Sequence, residues 1–216
     1  MAYVVAADQQ YAFDIAENLA YNPELLSCEQ GFRTAGSEAE HKAADYIASE
    51  MEALGLEVEK VPVTVDEWSM NGCSLTIEGT DIALNPVSYA TNGTDEAGIT
   101  AELVDVGEGT MFDYEGLDVE GKIILAGVDQ WNVAWIDMYM NEAALNGAVA
   151  IVTYNVGGYG TYNDEQVNMQ DVCAEDVMPC VSISAADYAV IAEALESGNN
   201  MATLVVDNVM KPGEGV

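Results

Sequence analysis

Lys122-Ile-Ile-Leu-Ala-Gly-Val128 opens the stretch, running from Gly121 to Tyr154, whose reading decides the fold. Its near-continuous apolar character fits a strand covered on both faces rather than one with a wet side. Asn132 is placed to cap a helix behind it. Val133, Ile136, Met140 and Ala143 then recur at helical spacing, with Asp137, Asn141 and Glu142 on other faces. Asn146-Gly147 stops that helix, because glycine accepts the left-handed conformation just past a helix end. Ala148-Val-Ala-Ile-Val-Thr-Tyr154 is a second apolar strand. Two such strands joined by a helix make a right-handed parallel crossover, so the helix must cover one face of the sheet that the remaining strands build.

Outward from this unit, the amino-terminal side carries two helices. The first spans Asp8 to Tyr21, with Ala12, Ile15, Ala16 and Leu19 on one stripe, and Asn22-Pro23 ends it. The second starts at Ser37, which with Glu40 forms a capping box, and shows an apolar face of Ala44, Ile47, Met51 and Leu54. Leu56 to Lys60 alternates like a strand, with a bulge expected near Lys60-Val61 where the apolar phase slips. From Asn71 short β segments follow, with Asn92-Gly93 as a turn signal. Ile99 to Val106 is a strand. After the central unit comes a long Gly-, Asn- and Asp-rich loop, about residues 155–178. Pro179 to Ile183 is a strand, Ser184 with Asp187 caps a helix, and Met201 to Val206 is the last strand. Lys211 to Val216 reads as a turn-like tail. The class expected is α/β (α+β): mixed β-sheets around a parallel βαβ unit, behind two helices.

Composition narrows the function. The chain has 216 residues, 50% of them apolar, enough for a substantial core. It holds 38 acidic residues against five basic ones, a net charge of −33. That argues against nucleic acid and anionic membrane surfaces, both of which demand Lys and Arg. No apolar run is long enough for a membrane span, and Met1 to Ala7 lacks the basic flank of an intact signal peptide. The acidity reads as a solvated surface; a calcium loop at Asn163, Asp164, Glu165 and Asp171 is the sharper alternative, without EF-hand spacing. Cys28, Cys73, Cys173 and Cys180 form no CxxC pair. Cys173 and Cys180 could join in an oxidising compartment, or remain buried thiols.

Catalytic chemistry is scarce in the sequence. The one histidine, His41, lies off the apolar face of the second helix, and no Gly-x-Ser-x-Gly elbow accompanies it. A zinc site needs three or four converging ligands, and His-x-Asp and His-Glu-x-x-His are absent. A hydrolase built on His41 ranks lowest of the readings. Gly157-Gly-Tyr-Gly160 lacks the Lys-Ser/Thr of a phosphate loop. Trp131 and Trp135 flank the central helix start; they are core or rim, or else a contact for a partner or peptide, as Trp is enriched at binding hot spots. Tyr159 and Tyr162 in the following loop join them as candidate contacts.

Two sets of segments resemble a known family. Arg33-Thr-Ala-Gly-Ser37, the helix with Ala43-Ala44-Asp45-Tyr46-Ile47, and Leu54-Gly-Leu-Glu-Val58 resemble the amino-terminal shoulder of co-catalytic zinc aminopeptidases, a group that includes glutamate-carboxypeptidase-like proteins. Gly116-Leu-Asp-Val-Glu-Gly-Lys-Ile-Ile-Leu125, Ala143 to Tyr154, and Met178-Pro-Cys-Val-Ser-Ile-Ser184 resemble the protease-associated (PA) domain inserted in many of them. The resemblance implies a swivelling β/β/α-type PA domain over residues 66–210, a helical shoulder over 1–65, and a tail, 211–216, leading toward a catalytic core. It implies zinc in a full-length parent, peptide or protein substrates, contact with the parent's catalytic domain, and an extracellular or cell-surface location in a secreted bacterial protein. The family's His-x-Asp has no counterpart here, so no catalytic or metal residue carries over. Arg33, Gly36 and Ser37 do, as a turn and a helix cap. The resulting expectation is a non-catalytic PA-bearing piece of a secreted exopeptidase, acting as lid or interaction domain. The alternative is a free-standing peptide- or protein-binding module. The Ala44/Ile47/Met51/Leu54 face, made for the catalytic sheet, is expected to find the inserted domain or a second copy of the chain, giving a homodimer in the latter case.

Overall fold

The computed structural model describes residues 8–27, 33–80, 84, 86–89, 91–158, 163–168 and 177–216. Among these lie four α-helices: α1 (Gln9–Tyr21), α2 (Glu38–Ala53), α3 (Ile136–Leu145) and α4 (Ala185–Glu196). Seven strands accompany them: β1 (Val63–Ile77), β2 (Val87–Ser88), β3 (Ile99–Asp105), β4 (Ile123–Asp129), β5 (Ala150–Gly157), β6 (Cys180–Ile183) and β7 (Met201–Gly215). The strands form one mixed sheet in the order β1-β7-β3-β4-β5-β6-β2. Its centre is parallel: β3 with β4, β4 with β5 and β5 with β6. Antiparallel β2 and β7 flank that centre.

The chain divides into two compact units, Met1–Ser69 with Met210–Val216, and Met70–Val209, the divisions falling inside β1 and β7. In the larger unit, β4 explains its own sequence. Ile123 and Leu125 enter one core with Val152, Val181, Ile191 and Leu204, on the α4 side. Ile124, Ala126 and Val128 enter the other, with Tyr139, Met140 and Ala143 of α3. Residues 123–128 are all buried, which favours an apolar residue at each of them; only Asp129, at the end of the strand, is partly exposed.

Several local expectations are corrected. Leu56 to Lys60 forms no strand and so holds no bulge; the strand starts at Val63 and extends to Ile77. Asn132 does not cap the central helix. It sits in a turn made by Asp129, and α3 begins later, with Trp135 at its N-cap and no side-chain cap. Asn92-Gly93 is not a hairpin turn. A Cβ on Gly93 would lie 2.5 Å from the Asn208 carbonyl oxygen, so glycine there permits close approach to β7. Nor is 211–216 a turn-like tail: β7 continues to Gly215. Pro212 is tolerated in it because β3 pairs with β7 only over Met201–Leu204, leaving no ladder bond from β3 for residue 212 to break.

In the smaller unit, Ser37 Oγ accepts the Glu40 amide at 3.1 Å, while Glu40 Oε2 accepts the Gly36 amide at 2.9 Å. The two residues thus satisfy amides at and before the helix start in both directions. Gly36 stands at φ +76°, with Val65 Cγ2 only 3.0 Å from where a Cβ would be, so both torsion and space favour glycine. Arg33 donates from Nε to the Leu25 carbonyl at 2.7 Å and from its guanidinium to the Leu19 carbonyl, tying down the end of α1.

Candidate functional site

The β4–α3 connection is built by one carboxylate. Asp129 Oδ1 accepts the Trp131 amide at 3.1 Å and the Asn132 amide at 2.9 Å, and its Oδ2 accepts Asn132 Nδ2 at 2.8 Å. These bonds, led by the Asn132 side chain, hold its pKa below the ordinary carboxylate range. The Asp129 carbonyl accepts the Val133 amide at 3.1 Å. The turn so closed carries Trp131 72% exposed, and Trp135, at the α3 N-cap, 55% exposed. Both indoles are outside the core.

Sequence reasoning missed two contributors to this end of the sheet. Val156, late in β5, is 60% exposed, and Gln130 donates its amide to the Gly157 carbonyl at 3.0 Å. Tyr139 of α3 is buried and bonded to the Asp129 backbone. Alternation of polar and apolar residues along Thr153-Tyr-Asn-Val156 is the only sequence signal for Val156; Tyr139 carried none, being one residue off the expected stripe. Tyr159 and Tyr162 lie outside the described residues.

The second surface is on α2. The residues of the helix that are buried are small, Ala39 and Ala43. The larger apolar stripe faces outward: Ile47 is 42% exposed, Met51 38% and Leu54 65%. Ala44, Ile47, Met51, Val58, Val61 and Val216 line a groove of about 530 Å³ within the smaller unit.

Neither region supplies metal or nucleophile chemistry. Among the described residues no three His, Cys, Asp or Glu side chains converge on one point. His41 Nε2 lies 3.0 Å from the Glu214 carbonyl oxygen. Cys73 Sγ donates to the Pro86 carbonyl at 3.0 Å, and burial pushes its thiol up to about 11, far from the thiolate a metal needs. Among the described residues the donor set does not fit a zinc centre. In the candidate calcium loop, Asn163 Oδ1 is turned to the Glu165 amide at 3.0 Å, and Asp171 lies outside the described residues. Of the cysteines, Cys28 and Cys173 also lie outside them, while Cys180 is buried.

Comparison with known proteins places this arrangement. A model of the PA domain family matches residues 88–191. Aminopeptidase YwaD of Bacillus subtilis is 35% identical over 130 residues, 60% of this chain and 27% of its own length. An aminopeptidase from Aneurinibacillus sp. strain AM-1 superposes with a TM-score of 0.66 at 26% identity, covering 96% of this chain and 46% of that one. BSAP, a zinc aminopeptidase from Bacillus subtilis, superposes at 0.68 with 25% identity, covering 95% of this chain and 45% of that one. The chain therefore spans less than half the length of these relatives. No helix among the described residues is long and apolar enough to cross a membrane. With a parallel βαβ centre inside the matched segment, and the likeness extending over nearly the whole chain, this protein carries a PA domain and is homologous to the zinc aminopeptidases.

Proposed function

We propose that this chain is the PA-bearing, non-catalytic portion of a secreted zinc exopeptidase. The observation that carries the reading is the outward apolar stripe of Ile47, Met51 and Leu54 on α2. Fully burying such side chains is worth about 1.5–3 kcal/mol each, a gain the isolated chain leaves unrealised. Relatives more than twice as long supply a candidate for what covers it: their peptidase portion. Zinc would then belong to that portion, because the donor set among the described residues does not fit it. The PA domain's own role in this reading is to restrict substrate access to the cleft or to hold a protein partner. Extracellular working conditions follow from the same reading.

The test is direct. The purified chain, supplied with zinc, is assayed on an aminoacyl p-nitroanilide, and its metal content is measured after gel filtration. No hydrolysis and no stoichiometric zinc are expected. Turnover with two tightly held ions per chain would overturn the reading.

A second reading, a peptide- or protein-binding module, is favoured by the exposure of Trp131 and Trp135 in a turn fixed by Asp129. Titration of peptide pools against indole fluorescence distinguishes it. A saturable shift lost in Trp131→Ala supports the module; an unchanged spectrum removes it.

A further inference from the structure

The five Lys and Arg residues of the chain are all committed. Lys42 pairs with Glu24 and Glu38, Lys60 with Asp45, Lys122 with Glu102 and Asp118, and Lys211 with Glu67. Arg33 is spent on the Leu19 and Leu25 carbonyls. Among the described residues, six acidic side chains have a cationic side chain beside them, against 38 acidic residues in the chain. Several others are held by backbone amides instead, as Asp95 is by Ala97 and Gly98, and Asp105 by Gly107. Amide dipoles fix those carboxylates in place without cancelling their charge.

The excess charge must be opposed by something outside the chain. Spread over 12191 Å² of accessible surface, a net −33 puts unbalanced charges roughly 19 Å apart. The Debye length is about 30 Å at 0.01 M salt, about 10 Å at 0.1 M and about 3 Å at 1 M. Each pair of neighbouring charges repels only slightly at that spacing, but the many pairs add; they are little screened at the first concentration, largely screened at the second and almost fully at the third. Unfolding moves them apart, so repulsion opposes the compact state only while it is unscreened.

We propose that the fold is conditional on ionic strength: dissolved cations, acting as a diffuse screen and not at a bound site, stand in for the positive side chains the chain lacks. The protein belongs to a saline working medium, and its stability climbs chiefly below a few tenths molar salt.

Thermal unfolding of the full chain followed by circular dichroism tests this. Between ~0.01 and ~0.5 M sodium chloride the midpoint should rise by roughly 10 °C or more. Choline chloride at equal ionic strength should match it, and isosmotic sucrose should not. The combined variant Glu17→Lys, Glu115→Lys, Glu193→Lys and Glu196→Lys should melt higher at low salt and show a flatter salt slope. These four are exposed, and their carboxylates hold no hydrogen bond among the described residues. If that variant does not fold, the corresponding Gln variant should show the same trend at half the size. A flat response, an equal effect of sucrose, or a rise saturating at micromolar calcium with one ion per chain would overturn the proposal. So would a charge-altered variant with the original slope.

Discussion

Tyr139 and Asp129 exchange two hydrogen bonds: the Asp129 amide donates to the phenol oxygen at 3.0 Å, and the phenol donates to the Asp129 carbonyl at 3.2 Å. Tyr139 is 1% exposed, so water cannot replace either bond. One buried side chain on α3 therefore fixes the turn that displays Trp131. Tyr139→Phe keeps the ring packing and removes both bonds. It should cost about 1–3 kcal/mol in urea unfolding, because the Asp129 amide loses its acceptor, while the Asp129 carbonyl keeps the Val133 amide. It should also broaden the indole emission, since the turn loses its anchor. Unchanged stability would mean the turn is held by the Asp129 side chain alone.

A pair of glycines separates space from torsion. At Gly93 a Cβ would meet the Asn208 carbonyl oxygen at 2.5 Å and the Val206 carbonyl oxygen at 3.1 Å, while at Gly72 nothing lies within 4 Å. Neither stands at positive φ. Gly93→Ala should therefore destabilise by about 1–3 kcal/mol through forced backbone separation. Gly72→Ala should be neutral or stabilise by up to about 1 kcal/mol, by narrowing the unfolded ensemble. Chemical denaturation of the two variants side by side checks the contrast.

The Cys73 thiol gives a pH dependence with a definite sign. Burial raises it from 9.0 to about 11, so the folded chain keeps the proton over a range where the unfolded chain has lost it. Its contribution is fully present below about pH 9 and disappears as pH climbs through 9 toward 11. Burial also holds the Tyr114 and Tyr154 phenols above their ordinary value, adding to alkaline loss further up. In Cys73→Ala the fall in stability between those pH values should be shallower than in the parent. Equal slopes would mean the thiol ionises freely in the fold.

The α2 surface makes a prediction about what does not matter. Ile47→Ser with Met51→Ser changes side chains more than a third exposed, and should shift stability by less than about 1 kcal/mol. Leu125→Ala in β4 removes a side chain at 0% exposure and should cost about 2–5 kcal/mol. Urea titrations give both values. Loss of folding in the double serine variant would show that the stripe is already packed, and would remove the main support for docking onto a peptidase portion.

The strand–helix–strand centre was legible because both faces of β4 and of the start of β5 are covered, which leaves short, nearly continuous apolar runs bounded by turn signals. The start of α3 was not, because Asn132 suits two local uses and Asp129 claimed it for a turn. The tail beyond Lys211 misled for a similar reason: Pro212 and Gly213 read as a turn unless a neighbouring strand is known to leave that side unpaired. On α2 the periodicity correctly marked an apolar stripe. It could not say what covers that stripe, since spacing records which side is apolar and nothing about what lies opposite. Trp131 and Trp135 stood out by residue type, but their exposure depends on a turn geometry that only the fold reveals.

The sole arginine has an irreplaceable post. Sodium ions can dim repulsion among carboxylates, but they cannot imitate a flat fork reaching the Leu19 and Leu25 carbonyls together. Brine should therefore rescue many charge changes in this molecule while leaving damage at Arg33 unrepaired. In a polypeptide so short of positive groups, the one guanidinium serves as a rivet for the first helix, and electrolyte handles the rest.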